Sequence, residues 1–272
     1  MNVALMRSDL RQRARGVALR LLGKGERTLD SRVPVGAIKA MMRANGLALI
    51  DGQPSWFYHA YGRCDVLTNF TLDRIVERVP KNTSVLTTGC GTGIMLFWLV
   101  DKGFIDVDGF DYLPECVEIA NEVKKVGGYE SRIWQDDGFA PTIERSYGLI
   151  TALHWVFSAW GGNYGNTPAE DPKSPAVRER LLNEFLAKYV PHLNPGGLLV
   201  VELCDAVADY RAPNDHPVYT EGLDAIYPVR HSPEQVQKCA TANGLAVEDK
   251  FVSMRSGHQP RVIYWLRKQG SD

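Results

Sequence analysis

A glycine-rich turn and three acidic side chains are the residues of this sequence best suited to hold a ligand. Residues 89–93 read Gly-Cys-Gly-Thr-Gly and follow a short apolar run. Glycines let the backbone turn tightly and let a ligand approach more closely than a Cβ would permit. Later apolar runs lead into Asp111 and into the pair Asp136-Asp137. Carboxylates at the carboxyl edge of a parallel sheet can accept hydrogen bonds from a ribose diol and from an adenine amino group.

Alternating apolar runs and helical segments must position these residues. Short apolar runs predict strands at 84–87, 107–110, 132–134, 149–153 and 198–202. Helical patterns predict helices at 92–102, 114–126, 176–190 and 232–243. This order is typical of βαβ units in a mostly parallel sheet. Two further apolar runs, at 246–252 and 261–266, predict a terminal hairpin.

The N-terminal region is locally basic and predicts helices of its own. Eight Lys and Arg against three acids give residues 1–32 a charge of +5. An apolar stripe at three- and four-residue steps predicts a first helix, with the members Val3, Met6, Leu10, Ala14, Val17 and Leu21. We expect this helix to dock on the core or on a second subunit in a homodimer; contact with an anionic membrane surface or an anionic substrate is the alternative. Further helices are predicted at 35–44 and 69–79.

The overall composition argues against several classes of protein. Thirty-one Lys and Arg against thirty-two Asp and Glu leave a net charge of -1. A general nucleic-acid binder has a basic excess, so DNA is not an expected partner. The five cysteines lack disulfide or zinc spacing and fit a reducing compartment. No apolar run reaches the ~20 residues of a membrane span, and no secretory signal is recognisable, so we expect a soluble cytoplasmic protein.

These features resemble the class I S-adenosylmethionine-dependent methyltransferases from about Ser84 onward. In that family the glycine turn wraps the methionine part of the cofactor, the acid matching Asp111 binds the ribose hydroxyls, and the acid matching Asp137 meets the adenine. Residues 193–197, Leu-Asn-Pro-Gly-Gly, look like the family's turn before the fifth strand. The resemblance implies that S-adenosylmethionine is held by Thr87, Gly89, Cys90, Gly91, Gly93, Asp111, Tyr112, Leu113, Asp136, Asp137 and Gly138. An NAD-dependent oxidoreductase is disfavoured, because the third glycine of the dehydrogenase pattern is absent.

The resemblance also implies an α/β fold, a three-layer sandwich around a seven-stranded, mostly parallel sheet with an antiparallel last strand. Residues 1–65 would form an N-terminal helical cap or lid, and residues 66–272 the methyltransferase domain. Thr87 departs from the family, which usually has an acid two residues before the first glycine. A hydroxyl can accept a hydrogen bond from the cofactor's ammonium without the charge of a carboxylate. Either the cofactor binds more weakly, or another acid substitutes.

The acceptor side is predicted around His154, which follows the fourth predicted strand beside the expected cofactor. A histidine there is a candidate general base for a hydroxyl acceptor, and a purely structural histidine is the alternative. The other candidate substrate residues are Tyr58, His59, Tyr61, Trp155, His216, Tyr219 and His231. Glu202 and Asp205 supply only half of a catechol-type metal site, so no metal is predicted.

The resemblance and the predicted pocket together predict methyl transfer to a small molecule, on oxygen rather than nitrogen. The Asp/Asn-Pro-Pro-Tyr motif of amino-methylating enzymes is absent at 153–156. Aromatic and histidine side chains near the predicted pocket favour an uncharged or aromatic acceptor over a polyanion. Two alternatives stay open. One is a scaffold subunit that binds the cofactor without turnover, and the other is a methyltransferase directed at protein or RNA.

Overall fold

A computed structural model of the chain describes residues 29, 31–44, 66–162, 167–206, 228–252 and 261–270. These residues form one sheet of seven strands, in the order β3-β2-β1-β4-β5-β7-β6. Its strands are β1 (Val85–Thr88), β2 (Val107–Asp111), β3 (Ile133–Gln135), β4 (Tyr147–Ala152), β5 (Leu193–Cys204), β6 (Leu245–Val252) and β7 (Arg261–Lys268). The first five strands pair in parallel, and β7 is antiparallel to both β5 and β6. The predicted sheet, including its antiparallel last strand, is confirmed.

Helices cover both faces of this sheet. They are α1 (Val35–Ala44), α2 (Val66–Arg78), α3 (Ile94–Asp101), α4 (Pro114–Gly127), α5 (Val156–Trp160), α6 (Pro175–Tyr189) and α7 (Pro233–Ala242), with a 3-10 turn at Val190–His192. Successive strand residues point to opposite faces, so Val85 joins the core under α1–α4 while Leu86 joins the core under α5–α7. Burial on both faces explains why the strands read as continuous apolar runs. The predicted three-layer sandwich is therefore confirmed.

Two local features differ from the sequence-based expectation. The short helix α5 occupies the connection after β4, where no helix was predicted. Strand β5 begins five residues earlier than predicted, at Leu193, which pairs with Tyr147. The pairing register then shifts, and Gly196 in the Pro-Gly-Gly turn takes a positive φ of +69°. The turn before the fifth strand is thus a bulge within β5, which a glycine makes possible.

The described part of the predicted N-terminal cap packs on the α3–α4 side of the sheet. Ile38 and Met42 of α1 are buried in the core on that face. The Nε of Arg32 donates to Asp101 at 2.7 Å, and its guanidinium lies over the ring of Tyr129 at 4.5 Å. The remaining residues of the cap lie outside the described residues, and so does the predicted helix from Val3 to Leu21. None of the helices that the structure describes is long and apolar enough to cross a membrane.

Candidate cofactor and acceptor site

A pocket opens at the carboxyl edge of β1, β2 and β4. It is lined by Gly89, Cys90, Gly91, Ile94, Met95, Phe110, Asp111, Tyr112, Leu113, Asp137, Gly138, Phe139, Leu153, His154, Trp155 and Ala159. Ligands of open α/β sheets bind at this edge, where loops from neighbouring strands meet. Most of the predicted cofactor residues and two of the predicted acceptor residues are therefore brought together in one pocket.

The glycine turn after β1 forms one wall of the pocket. Gly89, Gly91 and Gly93 have φ values of +60°, +56° and +84°, a backbone region that glycine enters without strain. A Cβ on Gly89 would come within 2.4 Å of Cδ1 of Trp155. The amide of Cys90 donates to the carbonyl of Phe110 at 2.9 Å, so the turn is tied to β2. The sequence motif thus reflects both backbone conformation and close packing.

Asp111, at the end of β2, faces the glycine turn across the pocket. Its Oδ2 accepts the amide hydrogen of Gly91 at 2.7 Å, and its Oδ1 accepts that of Leu113 at 3.0 Å. Burial raises the pKa of Asp111 above its usual range, and these backbone hydrogen bonds oppose that rise. Each carboxylate oxygen keeps a second lone pair, so two ribose hydroxyls could still donate to Asp111.

The two acids after β3 have different surroundings. Oδ2 of Asp136 accepts from the amide of Thr142 at 2.8 Å, from its hydroxyl at 3.0 Å and from Nε1 of Trp134 at 3.2 Å. Asp137 lines the pocket, and its Oδ1 accepts from the amide of Phe139 at 2.8 Å. Asp136 therefore holds its own loop and does not line the pocket. The cofactor contacts of both acids stay predictions, and the position of Asp137 in the pocket lining favours Asp137 for the adenine.

Thr87 and Gly93 support the glycine turn without lining the pocket. Thr87 is 2% exposed within β1, between β2 and β4. Its Oγ1 is buried and has no hydrogen-bond partner among the residues that the structure describes. Gly93 precedes the first residue of α3, and a Cβ there would come within 2.4 Å of the ring of Phe97. The structure therefore does not place the Thr87 hydroxyl in contact with the pocket.

The indole of Trp155 spans the pocket between two glycines. A Cβ on Gly138 would come within 2.3 Å of Cη2 of Trp155, at the end of the indole opposite Gly89. Nε1 of Trp155 donates to Oγ1 of Thr88 at 3.1 Å, and Phe139 packs edge-on at 5.3 Å between ring centroids. The predicted acceptor residue Trp155 thus also shapes the cofactor side of the pocket. The sequence offered no signal for this, because the contacts come from three different loops.

His154 lines the pocket and is held by side chains from three other elements. Its Nε2 lies 2.7 Å from Oγ1 of Thr68 on α2, and its Nδ1 lies 2.9 Å from a guanidinium nitrogen of Arg261 on β7. Its amide donates to Oε2 of Glu202 on β5 at 2.8 Å. The backbone of His154 has a φ of +69°, which residues other than glycine rarely adopt. Sequence analysis found His154 but not these partners.

The hydrogen bonds of His154 decide which ring nitrogen carries the proton. A guanidinium only donates, so an unprotonated Nδ1 satisfies the 2.9 Å contact with Arg261, whereas Oε2 of Glu202 lies farther from the same nitrogen, at 3.4 Å. Nε2 then carries the hydrogen and donates it to Thr68. A general base needs a lone pair that faces the substrate, and in this arrangement the lone pair faces Arg261. The base role of His154 stays a prediction, and this arrangement favours the structural alternative.

Of the remaining predicted acceptor residues, His231 is the one that lies among the described residues, and it is separate from this pocket. His231 is 1% exposed, and its Nε2 donates to the carbonyl of Arg178 at 2.9 Å, so it does not line the pocket. Burial lowers the pKa of His231 to about 4. Other candidates lie outside the described residues: Tyr58, His59, Tyr61, His216 and Tyr219. Among the described residues, no group of three or more His, Cys, Asp or Glu side chains could hold a metal ion.

Residues 58–161 match the family model described as a methyltransferase domain. No curated protein matches the chain by sequence.

Solved structures similar to this chain include the magnesium protoporphyrin IX methyltransferase ChlM from Synechocystis, with bound SAH. It is 14% identical with a TM-score of 0.55, over 85% of this chain and 94% of that chain. A putative sarcosine dimethylglycine methyltransferase from Galdieria sulphuraria is 13% identical with a TM-score of 0.55, over 75% of this chain and 85% of that chain. An S-adenosylmethionine-dependent methyltransferase from Clostridium acetobutylicum is 16% identical with a TM-score of 0.51, over 75% of this chain and 91% of that chain. At these identities the solved structures show the fold alone.

The strand order and the glycine turn after β1 define a Rossmann-like methyltransferase fold. The family match over residues 58–161 agrees with the sequence resemblance to the class I S-adenosylmethionine-dependent methyltransferases. The pocket fits that cofactor on its own chemistry, because it combines a turn with positive φ angles, a buried carboxylate with spare lone pairs, and apolar walls.

Proposed function

We propose that this protein transfers the methyl group of S-adenosylmethionine to an oxygen atom of a small-molecule acceptor. The observation that carries the proposal is the lining of the pocket. Its two carboxylates, Asp111 and Asp137, support the proposal as acceptors for the ribose hydroxyls and the adenine amino group. The other described lining residues are glycine, apolar, aromatic or cysteine, apart from His154. Such a surface suits an uncharged or aromatic acceptor.

The cofactor roles implied by the sequence resemblance can be assigned to residues that line the pocket. The turn at Gly89, Cys90 and Gly91 would hold the methionine part, and Asp111 would accept hydrogen bonds from the ribose. Tyr112 and Leu113 would pack on the adenine, and the loop after β3, with Asp137 and Gly138, would meet its edge. When bound, S-adenosylmethionine supplies a methyl group on a positively charged sulfur, which a lone pair of the acceptor displaces.

The protein's own contribution is to position the acceptor and to exclude water. Two groups held in the correct geometry react as one molecule, which removes much of the entropic cost of their encounter. Trp155 is packed against both glycine-containing loops, and Phe139 supports it from the side. His154 is held rigidly by its three partners beside this indole. We propose that these side chains form the wall against which the acceptor lies.

The charge of the lining argues for a small acceptor over a nucleic acid. No lysine or arginine is among the described residues that line the pocket. Enzymes that act on nucleic acids contact phosphates with such side chains. The four described cysteines, Cys90, Cys116, Cys204 and Cys239, are buried free thiols, which supports a reducing compartment and our proposal of a cytoplasmic location.

The test is a methyl-transfer screen with S-adenosylmethionine that carries a tritiated methyl group. Panels of phenols, alcohols, carboxylic acids, amines, oligonucleotides and proteins are offered separately, and products are identified by mass spectrometry. We expect label on a small-molecule oxygen, and loss of that label in Asp111→Asn but not in Glu118→Gln, which changes an exposed acid of α4. Cofactor binding with no labelled product in any panel would favour a scaffold instead. Label in RNA or protein would contradict the small acceptor.

A further inference from the structure

Two energetically unfavourable features converge on His154. The first is its left-handed backbone, with a φ of +69° in a residue that has a Cβ. The second is the ion pair behind it, in which Nε of Arg261 donates to Oε1 of Glu202. Arg261 is 5% exposed and Glu202 is 0% exposed, so both charges have been removed from water. Such pairs contribute little to stability, because the cost of desolvation offsets the attraction between the charges.

Both partners of this ion pair contact His154 directly. Oε2 of Glu202 accepts the amide hydrogen of His154 at 2.8 Å and thus fixes the strained backbone. The second arm of the Arg261 guanidinium, which can only donate, lies 2.9 Å from Nδ1 of the ring, and Oε2 of Glu202 lies 3.4 Å from the same nitrogen, so an unprotonated Nδ1 satisfies the shorter contact. A planar guanidinium can serve the carboxylate and the imidazole at the same time, which a lysine ammonium on a single nitrogen cannot do in the same geometry.

The ring of His154 then connects the sheet to helix α2. Its Nε2 lies 2.7 Å from the hydroxyl of Thr68, which is fully buried, and donates to it when Nδ1 is unprotonated. Thr68 lies in the first turn of α2, ahead of the strand that leads into the glycine turn. The next residue after His154 is Trp155, whose indole touches the glycines on both sides of the pocket. Fixing His154 therefore fixes the loop that carries this indole.

We propose that Glu202 and Arg261 are positioning residues for methyl transfer: they hold His154 as a hydrogen-bond donor through Nε2, tie the pocket wall to α2, and keep His154 from acting as a base. This inference rests on the proposed function. Glu202 and Arg261 act through His154 and do not line the pocket. The charged groups that face the imidazole from the packed strands are Glu202 on β5 and Arg261 on β7, and α2 contributes the neutral Thr68.

The first experiment reads the tautomer and needs no acceptor substrate. Long-range ¹H–¹⁵N spectra of the full chain resolve the side chains of its six histidines, and the signals missing in His154→Gln assign His154. We expect a protonated Nε2 and an unprotonated Nδ1 in the wild type. In the double variant Glu202→Gln/Arg261→Gln, which removes both charges together, we expect this signature to be lost. A protonated Nδ1 in the wild type, or an unchanged signature in the double variant, would overturn the proposal.

The second experiment separates positioning from base catalysis by turnover. Glutamine at position 154 can donate to Thr68 and accept from Arg261, but it cannot take a proton from a substrate. We therefore expect the turnover of His154→Gln to be at least tenfold higher than that of His154→Ala. Cofactor affinity should stay within threefold of the wild type in both variants. Equal losses of 10²-fold or more in the two variants would indicate a general base and overturn the proposal.

A matched control variant tests whether the loss of the tautomer signature comes from general destabilisation of the fold. Asp108 is a buried acid at the opposite end of the sheet, where it accepts hydrogen bonds from Arg132, Arg145 and Tyr147. Asp108→Asn disturbs a comparable charged cluster without touching the pocket. We expect it to leave the histidine spectrum of residue 154 unchanged. If methyl transfer to every small acceptor fails while the tautomer signature is as expected, the proposed acceptor class is wrong and the positioning of His154 still stands.

Discussion

Replacing Asp111 with asparagine should weaken cofactor binding by a factor that can be estimated from the hydrogen bonds of its carboxylate. In the wild type each carboxylate oxygen accepts one backbone amide and retains one lone pair for a ribose hydroxyl. An asparagine oxygen can still accept from Gly91, but its amino group faces the amide of Leu113 as a second donor. One ribose hydrogen bond is thereby lost, and the other changes from a charged to a neutral acceptor.

Hydrogen bonds to charged groups contribute about 1.5–3 kcal/mol and neutral ones about 0.5–1.5 kcal/mol. The expected loss of binding free energy is therefore about 2–4 kcal/mol, which corresponds to roughly a 30-fold to 1000-fold rise in the Kd of the cofactor. Calorimetric titration with S-adenosylmethionine measures it, with Glu118→Gln as an exposed acid that should change nothing. The fold should survive, because the variant removes a carboxylate whose pKa burial already raises. An unchanged Kd for Asp111→Asn would refute the ribose assignment.

The same titration has a defined pH dependence. Burial raises the pKa of Asp111 in the free protein, whereas ribose hydroxyls stabilise the charged form and lower the pKa in the complex. Binding therefore releases a proton when the pH is near the free-protein pKa. Affinity should be greatest above that pKa and fall as the pH drops through it. In Asp111→Asn this dependence should disappear.

Three further predictions concern packing, pH and the N-terminal region. Gly138→Ala would place a Cβ within 2.3 Å of Trp155, so the indole must move. Calorimetry should therefore show weaker cofactor binding, and unchanged binding would contradict the described packing. The pKa of His231 is lowered to about 4, so between pH 6.5 and 4 the unfolded chain binds a proton that the folded chain excludes. The free energy of unfolding should therefore fall by about 3 kcal/mol as the pH drops from 6.5 towards 4. Urea unfolding of His231→Gln should lack that decrease. An equally steep decrease in the variant would show that His231 is not its cause. Removing residues 1–28 should leave the domain folded, because Leu29 and the rest of the described core remain, but should expose a partner surface. Light scattering checks the oligomeric state, and an unchanged state with full activity would show that the segment is dispensable.

Features whose chemistry is local could be predicted from the sequence. The turn at 89–93 was recognisable because glycine is the residue that positive φ angles require, and the structure has three there. Asp111 was found because its place at the end of an apolar run fixes its place at the sheet edge. Helix α1 was predicted at its observed bounds, since its apolar spacing matches the face that it buries.

Features that depend on distant partners could not be predicted. Adjacent acids such as Asp136 and Asp137 look alike in sequence, and only Thr142 and Trp134 show that the first one holds its own loop. His154 was found by its position after a strand, but its partner Arg261 is 107 residues away. This partner therefore bears on the role of His154 in a way that its residue type and position in the sequence do not show.

The strand order has a consequence for the biosynthesis of the enzyme. In the described sheet β7 lies between β5 and β6, although it is the last of the seven strands to leave the ribosome. The cofactor-facing loops after β1, β2 and β3 are complete long before that moment. Arg261, the first residue of β7, arrives with this final insertion and brings the guanidinium that holds His154. A nascent chain can therefore form most of its pocket-lining loops before His154 has its Arg261 partner, and insertion of β7 completes both the sheet and that contact.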